Sequence, residues 1–523
     1  MNTTHRARTA AALLLAVILA AGAAGRSAAQ GRQAPPPEYR EIAAASRIAD
    51  PALRLKEFER IKAAYPNTPY REALEASILD AKVILATTLD DVIELQRRFL
   101  ADSQGPALLQ KPMAMAVQLL NHPRIESFDH TRVLDIVLAY RAQALRAAAD
   151  PANLTGIPED QKGFFKTGIL NAVELLTARA YLNAGNVDMA GGALESYRKA
   201  GGATGGNYYY VQAGILENMG KVAEAADAYL AAAVEKYGDA EAKARVLYAK
   251  VHGSIDGFEA AFAAKMSALP FTPAPFKAPS PWKGKTVLAE LFTGSECPPC
   301  VGADEAFDAL IQTIPAKYLA VLVYHLPIPR PDPMINQASG ARAMAYGINS
   351  TPTAVIDGTA KSVGGGGRGA AEAKYTQYRG LIEPLLADAP TVTLKASATL
   401  AGDTVKVAYD FDRAIADAEY VLVLAQGEQE HRGGNGISLH RMVVRDLKVL
   451  DPAAARTTEF DLAASEKAAD AYLSEFERTY TRIPNFKWAV RRHIIARQGL
   501  RVVLFVQEKA SGKVLNAVAA EVK

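Results

Sequence analysis

The two cysteines of this 523-residue chain are Cys297 and Cys300, set in Ser295-Glu296-Cys297-Pro298-Pro299-Cys300. A Cys-x-x-Cys at the end of an apolar run is the layout of a dithiol/disulfide switch. With no third cysteine, each sulfur has only the other to pair with. The motif opens a helical pattern, so Cys297 is expected at a helix N-terminus and within reach of solvent. Free N–H groups and the helix dipole favour a thiolate there. Cys300, one turn in, is expected to be more buried and placed to resolve a mixed disulfide on Cys297. Pro298 and Pro299 carry no N–H, which leaves the Cys300 amide as the expected main donor to the Cys297 sulfur. Glu296 sets a carboxylate beside Cys297 and would raise its pKa by like-charge repulsion. The bland reading is a structural staple, but closing so small a loop restrains little chain entropy.

A second candidate is His325, in Tyr324-His325-Leu326-Pro327-Ile328-Pro329-Arg330-Pro331-Asp332-Pro333. At the end of a strand it could shuttle protons between Cys300 and solvent, or simply be hydrogen-bonded inside a proline-rich loop. Asp332 reads as structural, pairing with Arg330 or capping the helix that follows. Gly364 to Gly367 has no following Lys-Ser/Thr, so it is not a phosphate loop and reads as a connector. His431 and His440 lack the companions of a metal site, and Tyr208-Tyr209-Tyr210 reads as packing. No metal or cofactor is implied beyond the cysteine pair itself.

The elements that must position these residues change character along the chain. Residues 1–29 read as an export signal, with His5, Arg6 and Arg8 ahead of the apolar run Ala10 to Ala21 and small residues at Ser27-Ala28-Ala29. Residues 30–270 are rich in helix formers. Gly185 and Gly220 lie 35 residues apart, as do Ala190 and Ala225, within two similar stretches, Ala180 to Ala190 and Ile215 to Ala225. Residues 271–284 hold Pro273, Pro275, Pro279 and Pro281 and read as a stiff linker. Residues 285–388 alternate strands and helices in the order β-α-β-α-β-β-α. Residues 389–523 turn to strands, with one helix from Ala463 to Tyr480, and read as a β-sandwich-like domain. The fold class expected is multidomain: all-α, then α/β, then all-β.

Three resemblances attach to these segments. The 35-residue spacing, with Gly at the turn and a small Ala behind it, resembles tetratricopeptide repeats. Residues 285–388 resemble a thioredoxin-like domain in the strand into Phe292-Thr293-Gly294, the Cys-Pro-Pro-Cys, and Ser350-Thr351-Pro352-Thr353. That resemblance implies a cis bond before Pro352, which faces the disulfide, and a Thr351 backbone open to pair with a client strand. It also implies a buried acid beneath the disulfide. Glu290 is the nearest counterpart, one residue out of the family spacing, and is either a proton relay or a strand-end carboxylate. Residues 285–523, through Thr351 to Gly358, Asn435-Gly436 and His440 to Arg445, are similar to the Omp28-related outer-membrane group.

Charge excludes other classes. Without residues 1–29 the chain carries 56 basic and 56 acidic residues, a balance that points to neither nucleic acid nor an anionic membrane. No later segment is long and apolar enough to span a bilayer. The expectation is an exported thiol–disulfide oxidoreductase acting on protein clients or a redox partner, in the periplasm or cell envelope or secreted. The competing readings are a non-catalytic envelope scaffold with a redox-inert module and a binder of sugar or envelope polymer built on the β domain.

Overall fold

The computed structural model describes residues 36–523 apart from 102, 156 and 158, so the expected export signal lies outside the described residues. The chain divides into two compact units. One takes in the described residues up to Gly202 together with Gly206–Phe262, the other Ala203–Gly205 and Ala263–Lys523. Among the described residues, no helix is long and apolar enough to cross a membrane.

The first unit is helical. Two of its helices begin where a short polar side chain accepts the free N–H groups of the first turn. Asp50 accepts from Ala52 and Leu53, and Asp129 from Thr131 and Arg132. The 35-residue spacing is a repeated helix–turn–helix. Glu159–Asn183 and Val187–Lys199 form one pair, Gly206–Asn218 and Val222–Val234 the next. Each pair turns at a glycine of positive φ, Gly185 at 79° and Gly220 at 75°. Each is closed by the same bond, Asn186 N to Tyr181 O and Lys221 N to Leu216 O, both 2.9 Å. Ala190 and Ala225 are fully buried behind the turns.

The second unit is built on one eight-stranded sheet. Its strands are β1 (Val287–Thr293), β2 (Leu319–His325), β3 (Thr353–Ile356), β4 (Ala360–Val363), β7 (Ala418–Glu430), β8 (Leu439–Leu450), β10 (Leu500–Glu508) and β11 (Val514–Glu521). The order is β11-β10-β7-β8-β2-β1-β3-β4. β1 runs parallel to β2, while β3 and β4 are antiparallel neighbours on its other side. A second sheet, β5 (Leu394–Ala401), β6 (Thr404–Phe411) and β9 (Thr457–Asp461), packs on β7 and β10 through Val405, Val407, Leu422, Leu424 and Val502.

This corrects the expected separation at residue 389. The C-terminal strands form no independent sandwich, because β8 pairs parallel with β2 at Val443–Val323 and makes the sheet continuous. Alternation decides the layers. Val287, Ala289 and Leu291 face the helices Val301–Thr313 and Ala371–Leu385. Leu288 and Phe292 face a second core that also holds Val421, Val423, Phe505 and Val514. The β10–β11 end returns to the start of β1, where Asn516 accepts from the Thr286 amide at 3.0 Å. A buried Lys285–Asp357 pair at 2.8 Å lies beside it.

The expected linker 271–284 is also corrected. Its prolines keep it extended, but the aromatic residues between them pack on the second unit's core. Phe271 packs tilted against Tyr375, Phe276 tilted and Trp282 edge-on against Tyr318, with ring centres 5.0–5.4 Å apart.

Candidate functional site

Cys297 and Cys300 form a disulfide at the head of the helix Val301–Thr313. The helix starts later than expected. Residues Pro298–Cys300 make a 3-10 turn with Cys297 as its N-cap, because the two prolines suit the first positions but lack N–H groups. The Cys300 amide donates to the Cys297 carbonyl at 3.0 Å and not to its sulfur, which corrects the donor expected there. The polar atoms nearest the sulfur belong to Thr351, the hydroxyl at 3.4 Å and the carbonyl at 3.8 Å. The hydroxyl donates to Ile328 O at 2.8 Å. The Thr351 carbonyl gains a donor only when Cys297 is a thiol. The Thr351–Pro352 peptide is cis.

Exposure overturns the central expectation for Cys297. Pro298 and Pro299 lie at the surface, yet both cysteines are 0% exposed. The segment His431–Ser438 between β7 and β8 closes on the motif. Asn435 N donates to Ser295 O at 3.0 Å, Asn435 Nδ2 to Gly294 O at 3.3 Å, and Gly434 N to the Glu296 carboxylate at 2.8 Å. At Gly433 the approach excludes a side chain, because a Cβ there would lie 2.4 Å from Ser295 O, while one on Gly434 would force the Glu296 carboxylate, 2.2 Å away, to turn aside. On the other side the Gly364–Gly367 connector reaches the motif, with Gly366 N donating to Pro299 O at 2.7 Å.

The remaining candidates part company. His325 and Asp332 sit on the cysteine side, both buried, with His325 Nδ1 2.9 Å from Asp332 Oδ2. Asp332 also accepts the Ser295 and Met334 amides, so it anchors the chain two residues before Cys297. It neither pairs with Arg330 nor caps a helix. Asn336 caps Gln337–Ala345. Burial opposes the charge on Asp332, but His325 and the two amides outweigh it and hold its pKa at about 2. His325 does not face solvent, which corrects the expected route outward. Its Nε2 has no hydrogen-bond partner, and its ring meets His440 edge-on at 5.1 Å.

Glu290 is elsewhere. It lies mid-strand on the face of β1 turned away from the helix Val301–Thr313, fully buried, so it is no strand-end carboxylate. It accepts two bonds from Arg342, at 2.7 and 3.0 Å, one from Tyr346 at 2.6 Å and one from Tyr324 at 3.0 Å. A second acid on the cysteine side is Asp304, on the same helix face as Cys300 one turn on. Although the residue is half-buried overall, desolvation lifts its carboxyl well above the ordinary range. The nearby Asp308, Glu305 and Asp332 push the same way, opposed by the Thr293 hydroxyl.

The sequence reading missed Asp304 because a carboxylate in the first turn of a helix reads as a dipole partner. It missed the closing segment too, although the density of glycine in Gly433-Gly434-Asn435-Gly436 is a signal for close backbone approach. Among the described residues, no group of three or more His, Cys, Asp or Glu is arranged to hold a metal ion. No protein-family model matches the chain, and no curated protein or solved structure matches it either.

Proposed function

We propose that this chain is an exported thiol–disulfide exchange protein of the cell envelope. In this reading the segment around Cys297 is a thioredoxin-like module, and the tetratricopeptide-like helical unit engages the protein client. The single observation that carries it is the Thr351 carbonyl and hydroxyl set against the sulfur of a disulfide at a helix head. A client thiolate attacks Cys297 Sγ, the Cys297–Cys300 bond breaks, and Cys300 leaves as a thiolate that takes a proton. A second client thiolate then attacks the client's sulfur in the mixed disulfide and frees Cys297. The client loses two electrons and the cysteine pair gains them. Attack requires the segment 431–438 to swing away, because Cys297 is enclosed.

That enclosure also favours a second reading, a non-catalytic envelope scaffold whose disulfide stays closed. One experiment separates the two. The folded full chain is equilibrated in a dithiothreitol redox series without denaturant and alkylated. The exchange reading expects one reversible midpoint for the pair, and alkylation about tenfold faster in Gly433→Val, whose side chain would run into the Ser295 backbone carbonyl. It also expects Cys300→Ser, which has no disulfide for a client thiolate to open, to oxidise no client thiols. A pair that resists reductant and alkylating agent until the chain unfolds would establish the scaffold.

A further inference from the structure

The helical unit holds a cavity of about 350 Å³, within the size range of small-molecule sites. Its origin is in the sequence. Alanines at 76, 107, 114 and 172 leave space between helices, and Phe99, Met113, Leu175 and Val211 make the walls apolar. Two cations reach it. Lys111 lies over the Phe99 ring at 4.4 Å and has the exposed Glu72 at 3.5 Å. Arg179 is different. It is half-buried, and its hydrogen bonds go to Asn121 Oδ1 at 2.8 Å, Leu120 O at 2.7 Å and Tyr237 OH at 3.3 Å. Each of these acceptors is neutral. Among the described residues no carboxylate pairs with Arg179, whereas a charge withdrawn from water ordinarily has a counter-charge.

We propose that this cavity binds a small amphiphilic carboxylate, a hydrocarbon chain of medium length whose carboxylate pairs with Arg179. The apolar walls fit a hydrocarbon better than a peptide, whose backbone N–H and C=O groups would go unpaired there. This site is independent of the disulfide.

The test is calorimetric titration of the full chain with decanoate, below its micelle concentration, and with decan-1-ol. The expected result is one saturable decanoate site, with decanol at least about tenfold weaker, the worth of a charge-assisted hydrogen bond. Arg179→Met brings decanoate down to the decanol level and leaves decanol unchanged, which also reports that the variant is folded. Ala114→Phe fills the cavity and abolishes both. Absence of saturable decanoate binding, or decanoate affinity unmoved in Arg179→Met, overturns the proposal. Should Arg179→Met fail to fold, equal affinity for the two probes, or undiminished binding in a folded Ala114→Phe, overturns it equally.

Discussion

The two faces of β1 and β2 carry buried polar groups in opposite conditions. On one face Glu290, Tyr324, Arg342, Tyr346 and Gln507 bond to one another. On the other, the cysteine side, Ser295 Oγ and His325 Nε2 are buried with no partner, and burial raises the Asp304 carboxyl well above its ordinary range. Native interiors satisfy nearly all buried polar atoms, so a cluster of exceptions needs a reason. A saturated network specifies a fold, and altering one member penalises the rest. An under-satisfied cluster beside a disulfide has spare donors and acceptors for a change of state. If the proposed exchange reading holds, the contrast gives Glu290 a structural part and makes Asp304 and His325 the candidates for proton handling.

The sharpest way to break this contrast is Arg342→Met. It strands Glu290 as a buried carboxylate without its cation, a change that costs about 3–5 kcal/mol. Chemical denaturation of the full chain would read the loss in the transition of the second unit. At temperatures where the variant is folded, the midpoint of the cysteine pair should not move. A redox midpoint that moves with Arg342 would return Glu290 to the chemistry and erase the distinction between the faces.

Asp304→Asn tests the other face and should invert the pattern. Burial already opposes the charge on Asp304, so the amide is expected to cost less than about 1 kcal/mol in stability. Reaction of the reduced protein with a small aromatic disulfide should slow by about a hundredfold, the usual worth of a positioned proton carrier. The limb of the pH–rate profile that belongs to a raised carboxyl should vanish. An unchanged profile would make Asp304 a packing residue and leave the cysteine side with no acid of its own.

Much of this arrangement was legible in the sequence, and the parts that were not share a cause. The strands at Val287–Thr293 and Leu319–His325 read as continuous apolar runs because they are buried on both faces. β8 did not read as a strand. Its charges at Arg441, Arg445, Asp446 and Lys448, the register shift opposite Leu424/Ala425 and the positive φ of Met442 break the period-two pattern. Missing β8 meant missing the pairing that fuses the C-terminal strands to the sheet, and with it the segment that encloses Cys297. Local pattern located the cysteines, and the resemblance to thioredoxin-like domains pointed to Thr351 and Pro352. The segment 431–438 reaches the motif through contacts such as that between residues 296 and 434, which no window along the chain contains.

The smallest expected effect concerns pH and asks whether the acid sensitivity belongs to the cysteine side. His440, on β8, is buried, with Nε2 3.0 Å from His431 O and its ring near those of His325 and His431. Desolvation first, and the neighbouring His325 second, hold its pKa down at about 3, against about 6.5 in an unfolded chain. Between those values the unfolded state binds a proton that the folded state refuses. Stability therefore rises with pH through that window and falls on acidification. Asp332 acts lower. With its folded pKa held at about 2, its contribution is present above the unfolded value of about 3.9 and is lost as the pH falls toward 2. His440→Gln keeps an N–H for His431 O and cannot titrate. Denaturant midpoints taken from pH 4 to 6.5 should flatten in this variant, while the loss below pH 4 persists. A slope unchanged by the substitution would place the acid-sensitive group outside this cluster and weaken the assignment of unmet polar groups to the cysteine side.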